Sequence, residues 1–314
     1  MGGSAGAVER MQQLVRCFPR DLPAAVFIVL HVSAEDPGLL PAILSRAGPL
    51  PAKHPRDREA IRSGQIYVAP SDRHLTIEDG VVRVMRGPRE NRHRPAIDPL
   101  FRTAARVGGA RVIGVVLSGR LDDGTAGLHA IRRRGGVALV QDPADAASPQ
   151  MPESALKYGG ADFVLPASAL GPKIVELVCR RGMMKETESS PESVRTGNEN
   201  LRVSAPDEGS GTPSVFACPE CHGVLWELKE GELVRFRCRV GHAFTTAHLA
   251  EEQRHHVEAS LWAAERALEE KAALATRISD AMPDTATKQR FMDQADADRK
   301  HADVIKEMLF AVGE

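Results

Sequence analysis

The run Ala24-Ala25-Val26-Phe27-Ile28-Val29-Leu30, which His31 follows, decides the fold class of this chain. It is apolar throughout and of strand length, which is typical of a strand buried on both faces of a sheet. Two more runs of this kind are Arg111–Leu117 and Gly136–Val140. Because helical patterns alternate with these runs from about residue 8 to residue 182, we predict a doubly wound, mostly parallel α/β sheet with a Rossmann-like, three-layer architecture.

The charge of the chain is unevenly distributed. Its 314 residues carry a formal net charge of -1, and 42% of them are hydrophobic and 26% charged, as in soluble globular proteins. Residues 1–182 contain 25 Lys and Arg against 18 Asp and Glu, a net charge of +7, and the remainder contains 16 against 24, a net charge of -8. Two parts of opposite charge favour a two-domain protein. A near-neutral total excludes a strongly basic nucleic-acid binder only where the charge is evenly spread. We expect no nucleic-acid partner for this chain.

Changes in composition divide the chain into four predicted segments. An α/β domain covers 1–182, a polar linker 183–214, a small Cys-containing module 215–245, and a helical segment 246–314. The linker has almost no large apolar side chains, so we predict that it is disordered. Helical patterns at 246–281 and 285–312 flank Pro283. They predict a helical hairpin or a coiled coil that serves as a homodimerisation or docking element.

The chain shows no targeting segment. No apolar stretch approaches the roughly 18 residues that span a bilayer, and the first thirty positions lack the regions of a signal peptide. We therefore expect a cytoplasmic protein without membrane insertion. In that compartment the five Cys residues are expected to serve purposes other than disulfide formation.

The first candidate functional residue is Ser4, within Gly2-Gly3-Ser4-Ala5-Gly6. This stretch fits the G-x-S-x-G pattern, in which small neighbours permit a sharp turn that presents a serine hydroxyl at a helix N-terminus. A phosphate-binding turn or a helix-capping turn is the alternative interpretation. A serine becomes an effective nucleophile only beside a base and an acid that orients the base.

Candidates for the base and the acid follow two of the predicted strands. His31 follows the first apolar run, and Asp122 and Asp123 follow the run that ends at Leu117. Taken separately, a His after a strand is commonly structural, and an Asp before Gly is commonly a turn residue. Open α/β sheets bind ligands at the carboxyl ends of their strands. We therefore expect these side chains to converge with Ser4 at one edge of the sheet.

Several linked motifs within residues 1 to about 180 point to a known family. They are Gly3-Ser4-Ala5-Gly6, Leu30-His31, Tyr67-Val68-Ala69-Pro70 with His74, Arg94-Pro95 with Asp98 and Phe101, Leu117-Ser118-Gly119 with Asp123-Gly124, and Met151-Pro152 with Ala155-Leu156. Together they resemble the catalytic domain of chemotaxis protein-glutamate methylesterases of the CheB type. By this resemblance Ser4 is the nucleophile, His31 the general base and Asp123 the acid that orients it, while Asp122 is a bystander.

The resemblance also implies an activity. The family hydrolyses methyl esters of glutamate side chains on the helical cytoplasmic region of chemoreceptors, and some members deamidate glutamine there. No cofactor is implied for catalysis. Backbone N–H groups near Ser4 and at 119–121 are candidates for binding the oxyanion, and we single out those of Ala5 and Arg120.

Two departures from the family pattern concern domain organisation. Only Met1, Gly2 and Gly3 precede Ser4, so the first strand of the domain is expected to be missing, or to be encoded upstream of Met1. The family's usual receiver domain is not recognised either. Regulation by aspartyl phosphorylation within this chain is therefore not expected.

The second half contains a candidate metal site. Cys218-Pro219-Glu220-Cys221 precedes Cys238-Arg239-Val240-Gly241-His242, and two closely spaced ligand pairs of this kind are typical of structural Zn²⁺ sites. The alternative, a redox-active C-x-x-C, is disfavoured because no thioredoxin-like β-α-β pattern surrounds it. A similar extension occurs on some CheB-type proteins without a receiver domain. The remaining histidines of this half, which include His222, His248, His255 and His256, are interpreted as solvent-facing.

Three functional hypotheses follow from these observations. The first is a serine esterase that acts on protein glutamate methyl esters, which the Ser4, His31 and Asp123 set favours. The second is a non-catalytic scaffold that binds a signalling partner through its zinc and helical segments, which a missing first strand would favour. The third is a generic small-molecule esterase.

Overall fold

The three uninterrupted apolar runs form β2, β8 and β9 of one parallel sheet, as predicted. The computed structural model describes residues 1–185, 211–230 and 233–311 of the chain. Its strands are β1 (Gly2–Gly3), β2 (Val26–Leu30), β3 (Ala52–Lys53), β4 (Glu59–Ala60), β5 (Ile66–Val68), β6 (His74–Glu78), β7 (Val81–Met85), β8 (Ile113–Val116), β9 (Val137–Gln141), β10 (Phe163–Leu165), β11 (Thr212–Ala217), β12 (Val224–Glu230), β13 (Leu233–Cys238) and β14 (Ala243–Thr245). Within the described ranges, the main sheet has the order β10-β9-β8-β1-β2-β5-β3, and its neighbouring strands pair in parallel.

Helices cover both faces of this sheet. They are α1 (Val8–Arg16), α2 (Leu40–Ala47), α3 (Ile97–Gly108), α4 (Thr125–Arg133), α5 (Gln150–Ser154) and α6 (Ala167–Lys185). Two further helices, α7 (Thr246–Ala281) and α8 (Thr285–Ala311), follow in the C-terminal half. Core residues of α1, α2 and α6 cluster with Ile28 on one face of the sheet, and those of α3 and α4 cluster with Val29 on the other. Both side chains are fully buried, and each such burial stabilises the fold by about 1.5–3 kcal/mol. Burial on both faces explains why β2 has no polar alternation.

The strand before Ser4 is formed, which differs from the expectation that it is missing. Gly2 pairs with Val29 of β2 on one side and with Val116 of β8 on the other. The strand carries no apolar pattern, because a Cβ on Gly2 would overlap the side chain of Ile97. Pairing requires only backbone groups, so β1 occupies the centre of the sheet without a strand-like sequence.

An antiparallel hairpin, β6–β7, lies beside the main sheet with β4 at its edge. Its turn is Asp79-Gly80, with φ of 40° and 80°. Both values lie in the left-handed region that a two-residue hairpin turn of type I′ needs, and Asp-Gly suits it. The hairpin precedes the segment 86–96, which reaches the candidate site.

The C-terminal half contains a second antiparallel sheet and two long helices. Strands β11 to β14 form the sheet in chain order, and α7 and α8 follow the two predicted helical patterns. Met1–His248 form one compact unit and Leu249–Glu314 a second. In the second unit Ala272, Ala275 and Ala295 form a small core, so α7 and α8 pack together as a hairpin. Within the described ranges, no helix combines the length and the apolar character needed to cross a bilayer.

The predicted linker, 183–214, falls largely outside the described residues. At its two ends the structure extends further than the prediction, because α6 continues to Lys185 and β11 begins at Thr212. The predicted disorder concerns 186–210, which lie outside the described ranges.

Candidate active site

Ser4 lies on a tight turn directly after β1. Its carbonyl accepts a hydrogen bond from the Ala7 N–H at 3.1 Å, which closes a four-residue turn. Gly6 has a φ of 74°, a left-handed conformation that glycine adopts without steric cost. A Cβ on Gly6 would also lie 2.5 Å from the Cβ of Ala147. Glycine therefore stands where the turn admits no side chain, and Ser4 remains partly exposed.

The loop after β8 holds this turn in place. Ser118 is buried; its Oγ donates to the Ala5 carbonyl at 2.6 Å, and its carbonyl accepts from the Ser4 N–H at 2.9 Å. A Cβ on Gly119 would overlap the Met151 sulfur and lie 3.0 Å from the Ser4 Cβ. Only glycine at this position lets the two loops approach so closely.

His31 lies beside Ser4 because β1 and β2 are parallel neighbours. Gly3 pairs with Leu30, and the His31 N–H donates to the Gly3 carbonyl at 3.2 Å, so Ser4 and His31 leave the sheet at the same edge. Nε2 of His31 lies 2.7 Å from Oδ2 of Asp123. The other ring nitrogen, Nδ1, is buried and has no hydrogen-bond partner among the described residues. Nδ1 is therefore the ring atom that remains for proton transfer.

Asp123 is fully buried, and several donors surround its carboxylate. Besides the His31 ring, Oδ2 accepts from the Ile97 N–H at 2.6 Å, while Oδ1 accepts from Asn91 Nδ2 at 2.9 Å and from the Asp98 N–H at 3.3 Å. The two N–H groups belong to the first turn of α3, where a negative charge is favoured. Burial opposes ionisation, but the hydrogen bond to His31, the charge of that ring and the Ile97 N–H hold the pKa of Asp123 well below its usual range.

Asp98 is a second buried carboxyl group beside Asp123. Its Oδ1 accepts from the Gly127 N–H at 2.6 Å and its Oδ2 from Asn91 Nδ2 at 3.2 Å. Burial, and then the negative charge of Asp123, raise the pKa of Asp98 to about 7. One amide group, Asn91 Nδ2, therefore donates to both carboxyl groups. Asn91 is 1% exposed and has a φ of 49°, a conformation that asparagine tolerates better than most residues.

His93 packs face to face on His31. Their ring centroids lie 3.5 Å apart and the ring planes differ by 13°. Burial, and then the neighbouring His31, lower the pKa of His93 to about 3. The ring is therefore neutral at neutral pH, so it restricts the rotation of the His31 ring without adding a charge.

The backbone N–H groups of Ala5 and Arg120 lie on the two loops that meet at Ser4, and both are available as donors. The N–H groups of Gly119 and Leu121 are engaged in hydrogen bonds of 3.0 and 3.1 Å. In the described part of the chain, no acceptor is found for the N–H groups of Ala5 and Arg120. The arrangement therefore provides a partly exposed hydroxyl, an oriented imidazole and two available donors at one edge of the sheet, which are the components of acyl-transfer chemistry.

Sequence comparison places this site in a family. A family model described as CheB methylesterase matches residues 1–174. The chain belongs to the CheB methylesterase family. A crystal structure of the Thermotoga maritima CheB methylesterase catalytic domain aligns with a TM-score of 0.54 and 30% identity, covering 56% of this chain and 95% of that one.

Curated relatives match the same part of the chain. Protein-glutamate methylesterase/protein-glutamine glutaminase 2 of Xanthomonas campestris is 34% identical over 179 residues, which cover 56% of this chain and 51% of the relative. A Leptospira interrogans protein is 38% identical over 181 residues, which cover 57% of this chain and 92% of that protein. In these relatives the similarity therefore concerns the CheB methylesterase domain.

Four residues of this CheB methylesterase site, Ser118, Asp98, Asn91 and His93, had no predicted role. Ser118 binds the nucleophile turn, Asn91 binds two carboxyl groups, and His93 stacks on the candidate base. Ser118 and Asp98 belong to the motifs that the sequence analysis recognised, so the sequence offered a reason to expect a role for both. Asn91 and His93 gave none, because their roles depend on the path of the segment 86–96.

The four predicted metal ligands come together in the C-terminal half. Cys218 and Cys221 flank the turn after β11, and Cys238 and His242 flank the turn between β13 and β14. Their four ligand atoms lie within 4.8 Å of one another. The Sγ atoms of Cys221 and Cys238 lie 3.6 Å apart, and Nδ1 of His242 lies 3.4 Å from Sγ of Cys238 and 3.7 Å from that of Cys218.

These distances fit four ligands arranged tetrahedrally around one cation. Zn–S bonds of about 2.3 Å and Zn–N bonds of about 2.0 Å give S···S edges of about 3.8 Å and S···N edges of about 3.5 Å. Burial raises the pKa of the Cys218 thiol to about 12, so the ionised form that metals bind needs a nearby cation. The chemistry and the spacing of the donor set therefore suit a metal ion of the Zn²⁺ type.

The interpretation of His248 as solvent-facing is wrong, and Asp122, which does not contact His31 among the described residues, has a structural partner in it. His248 is fully buried, and its Nδ1 lies 2.5 Å from Oδ1 of Asp122. Thr245 Oγ1 donates to the same oxygen at 2.8 Å. The burial arises because β14 and the first turn of α7 pack against the loop that carries Asp122 and Asp123.

Proposed function

We propose that this protein is a protein-glutamate methylesterase, a serine hydrolase that removes methyl esters from glutamate side chains of chemoreceptor-like proteins in the cytoplasm. The observation that carries the proposal is the placement of the His31–Asp123 pair beside Ser4 in a CheB methylesterase domain. The same site suits hydrolysis of the glutamine side-chain amide, because both reactions pass through a tetrahedral oxyanion at the same carbon.

In the proposed mechanism, Ser4 Oγ attacks the ester carbonyl while Nδ1 of His31 takes its proton. His31 then gives that proton to the departing methoxide, which leaves as methanol and yields an acyl-enzyme on Ser4. A water molecule repeats the sequence with His31 as base, releasing the glutamate carboxylate and restoring Ser4.

The remaining groups act on charge and orientation. Asp123 holds the His31 ring through Nε2 and stabilises the imidazolium that forms during each proton transfer. We assign the oxyanion to the N–H groups of Ala5 and Arg120, whose neighbours at 119 and 121 are already hydrogen-bonded. This reaction needs no cofactor.

We also propose that Cys218, Cys221, Cys238 and His242 bind a structural Zn²⁺. Four protein ligands leave no open coordination position, so the ion would stabilise the module and take no part in hydrolysis. The fit of the ligand distances to a tetrahedron supports this assignment.

Methanol release from a methylated receptor fragment tests the main proposal. The wild-type chain is expected to release methanol, and Ser4→Ala is expected to reduce the rate to background. Ser168→Ala, at an exposed residue of α6, is the matched control and is expected to keep the wild-type rate. No methanol from a folded wild-type chain would contradict the proposal.

The scaffold hypothesis receives less support from the structure than from the sequence. Its main argument was the absence of the first strand, whereas Gly2–Gly3 pair on both sides. The ionised Asp123 and the oriented His31 are also features that a binding surface does not require.

A further inference from the structure

The module at Gly211–His248, named here the appended module, reaches the CheB methylesterase site through Asn91. The Asn91 N–H donates to the Ala243 carbonyl at 2.8 Å, and the Thr245 N–H donates to Asn91 Oδ1 at 3.1 Å. The opposite end of the same side chain donates to Asp123 at 2.9 Å. A single buried amide therefore connects β14 with the carboxylate that holds His31.

A second connection runs through Asp122, the residue before Asp123. Its Oδ1 accepts from Thr245 Oγ1 at 2.8 Å and lies 2.5 Å from His248 Nδ1. Asp122 is 5% exposed, and Thr245 and His248 are 1% and 0% exposed. Hydrogen bonds at buried sites are costly to leave unmade. The peptide Asp122-Asp123 is therefore held on one residue by the appended module and on the next by His31.

An ion pair anchors the appended module at the same place. Arg235 of β13 is 5% exposed and Glu90 is 7% exposed; Nη2 of Arg235 lies 3.4 Å from Glu90 Oε2, and Arg102 of α3 lies 2.7 Å from the same oxygen. Glu90 directly precedes Asn91 and forms an isolated bridge with Ala243. The segment that carries Asn91 is thus fixed to both β13 and β14.

The candidate metal turn sets the position of β14. Cys238 ends β13 and His242 directly precedes β14, and the Cys238 N–H donates to the His242 carbonyl at 3.0 Å. Because Ala243 and Thr245 follow at once, the closed turn determines where the two groups that bind Asn91 lie. Arg235 pairs with Thr245 across the two strands, so both anchors belong to one rigid hairpin.

We propose that the appended module completes the catalytic site, with Thr245 and His248 as positioning residues that hold Asp122, and through it Asp123, in line with His31. The inference rests on the proposed function of the Ser4 site. It assigns to the C-terminal extension a role within the hydrolytic site itself, in addition to any partner it binds. Displacement of catalytic groups by about 1 Å can reduce a rate by about a hundredfold.

Full-length variants test the proposal with substitutions that preserve side-chain shape. Thr245→Val removes the hydroxyl and keeps the β-branched form, His248→Phe removes Nδ1 and keeps the ring, and Thr245→Ser restores the hydroxyl. Thr246→Val is the matched control, because Thr246 is exposed and its hydroxyl, among the described residues, donates to the Val234 carbonyl at 3.3 Å and not to the site. A fluorophosphonate probe that labels the Ser4 hydroxyl measures activation of the nucleophile without the receptor.

We expect Thr245→Val and His248→Phe to slow Ser4 labelling by about tenfold to a hundredfold, with kcat for methanol release reduced alike and KM unchanged. Thr245→Ser and Thr246→Val are expected to label at the wild-type rate. A second measurement is the downfield proton resonance of His31 Nε2–H, assigned by its loss in His31→Gln. It is expected to shift or broaden in the two slowed variants alone.

Several outcomes would overturn the proposal. One is wild-type labelling and an unchanged proton resonance in Thr245→Val and His248→Phe. Another is an equal loss in Thr246→Val, because a general effect of the appended module on folding would then explain the result. A wild-type chain that labels at Ser4 but releases no methanol contradicts the proposed substrate alone, and the labelling rates then decide the role of the appended module.

Discussion

Nε2 of His31 lies 2.7 Å from Oδ2 of Asp123, and this single contact fixes which ring nitrogen serves Ser4. The Asp123 carboxylate accepts one more bond on the same oxygen and two on the other, so it has little freedom to rotate. The orientation of the base therefore depends on a set of donors drawn from α3 and from the segment 86–96.

Asp123→Asn is expected to lower kcat by about 10⁴-fold, because an amide cannot hold the His31 ring in the required tautomer or stabilise the imidazolium. Steady-state methanol release measures the effect. Asp21→Asn, at an exposed position, is the control and should retain the wild-type rate. A loss of less than about tenfold in a folded Asp123→Asn protein would argue against the role given to this carboxylate.

Gly6→Ala is expected to destabilise the fold more than Gly80→Ala. Both glycines have left-handed φ values, 74° and 80°, and alanine there costs about 1–2 kcal/mol. A Cβ at Gly80 meets nothing within 4 Å, whereas one at Gly6 lies 2.5 Å from the Ala147 Cβ, so Gly6→Ala carries an added overlap cost of about 1–3 kcal/mol. Urea unfolding measures the free energies, and equal values for the two variants would contradict the steric argument.

Because the pKa of His93 is lowered in the folded chain, we expect the free energy of unfolding to fall as the pH falls below about 6.5. The folded-state pKa of His93, about 3, lies below the ordinary 6.5, so below pH 6.5 the unfolded chain binds a proton that the folded chain does not. The free energy of unfolding contributed by this group is complete above about pH 6.5 and is lost as the pH falls toward 3, by about 1.4 kcal/mol per pH unit.

His93→Phe removes that group and keeps a ring against His31. Between pH 6 and pH 4, the free energy of unfolding of the wild type should therefore fall more steeply than that of the variant. Urea unfolding at several pH values gives both slopes, and parallel curves would show that His93 remains protonated in the folded chain.

The metal assignment predicts about one zinc ion per chain after purification without chelator. Cys238→Ser is expected to lose most of the metal and to lower the melting temperature, because a thiolate ligand and the β13–β14 turn are lost together. Metal analysis and thermal unfolding are the measurements. Cys17→Ser, at an exposed free thiol, should change neither, and a metal-free wild-type protein would contradict the assignment.

The sequence predicted those elements whose burial requires a recognisable local pattern of apolar residues. Continuous apolar runs indicated a sheet covered on both faces, and α7 and α8 followed the helical spacing on either side of Pro283. The four metal ligands were recognisable because the geometry of a tetrahedral site imposes short spacings within each pair. The strand β1 was not recognisable, since its two glycines pair through backbone alone.

The contacts that complete the candidate site could not be predicted in the same way. Asn91 and Thr245 are 154 residues apart, and Asp122 and His248 are 126 apart. Their side chains meet only after the appended module has packed against the methylesterase domain. A His on an amphipathic helix gives no local sign that its face will be buried against a distant loop.

The contacts at Asn91 and Asp122 set a practical limit on dividing the protein. A cut in the polar stretch between α6 and β11, the obvious place from composition, would leave Asp122, Asn91 and Glu90 exposed at a bare surface. Met1–His248, which form one compact unit, are therefore the residues to keep together in expression or domain exchange. If the appended module is exchanged between homologous proteins, the segment 86–98 should be exchanged with it. The surface of this segment and the surface of the appended module contact each other directly.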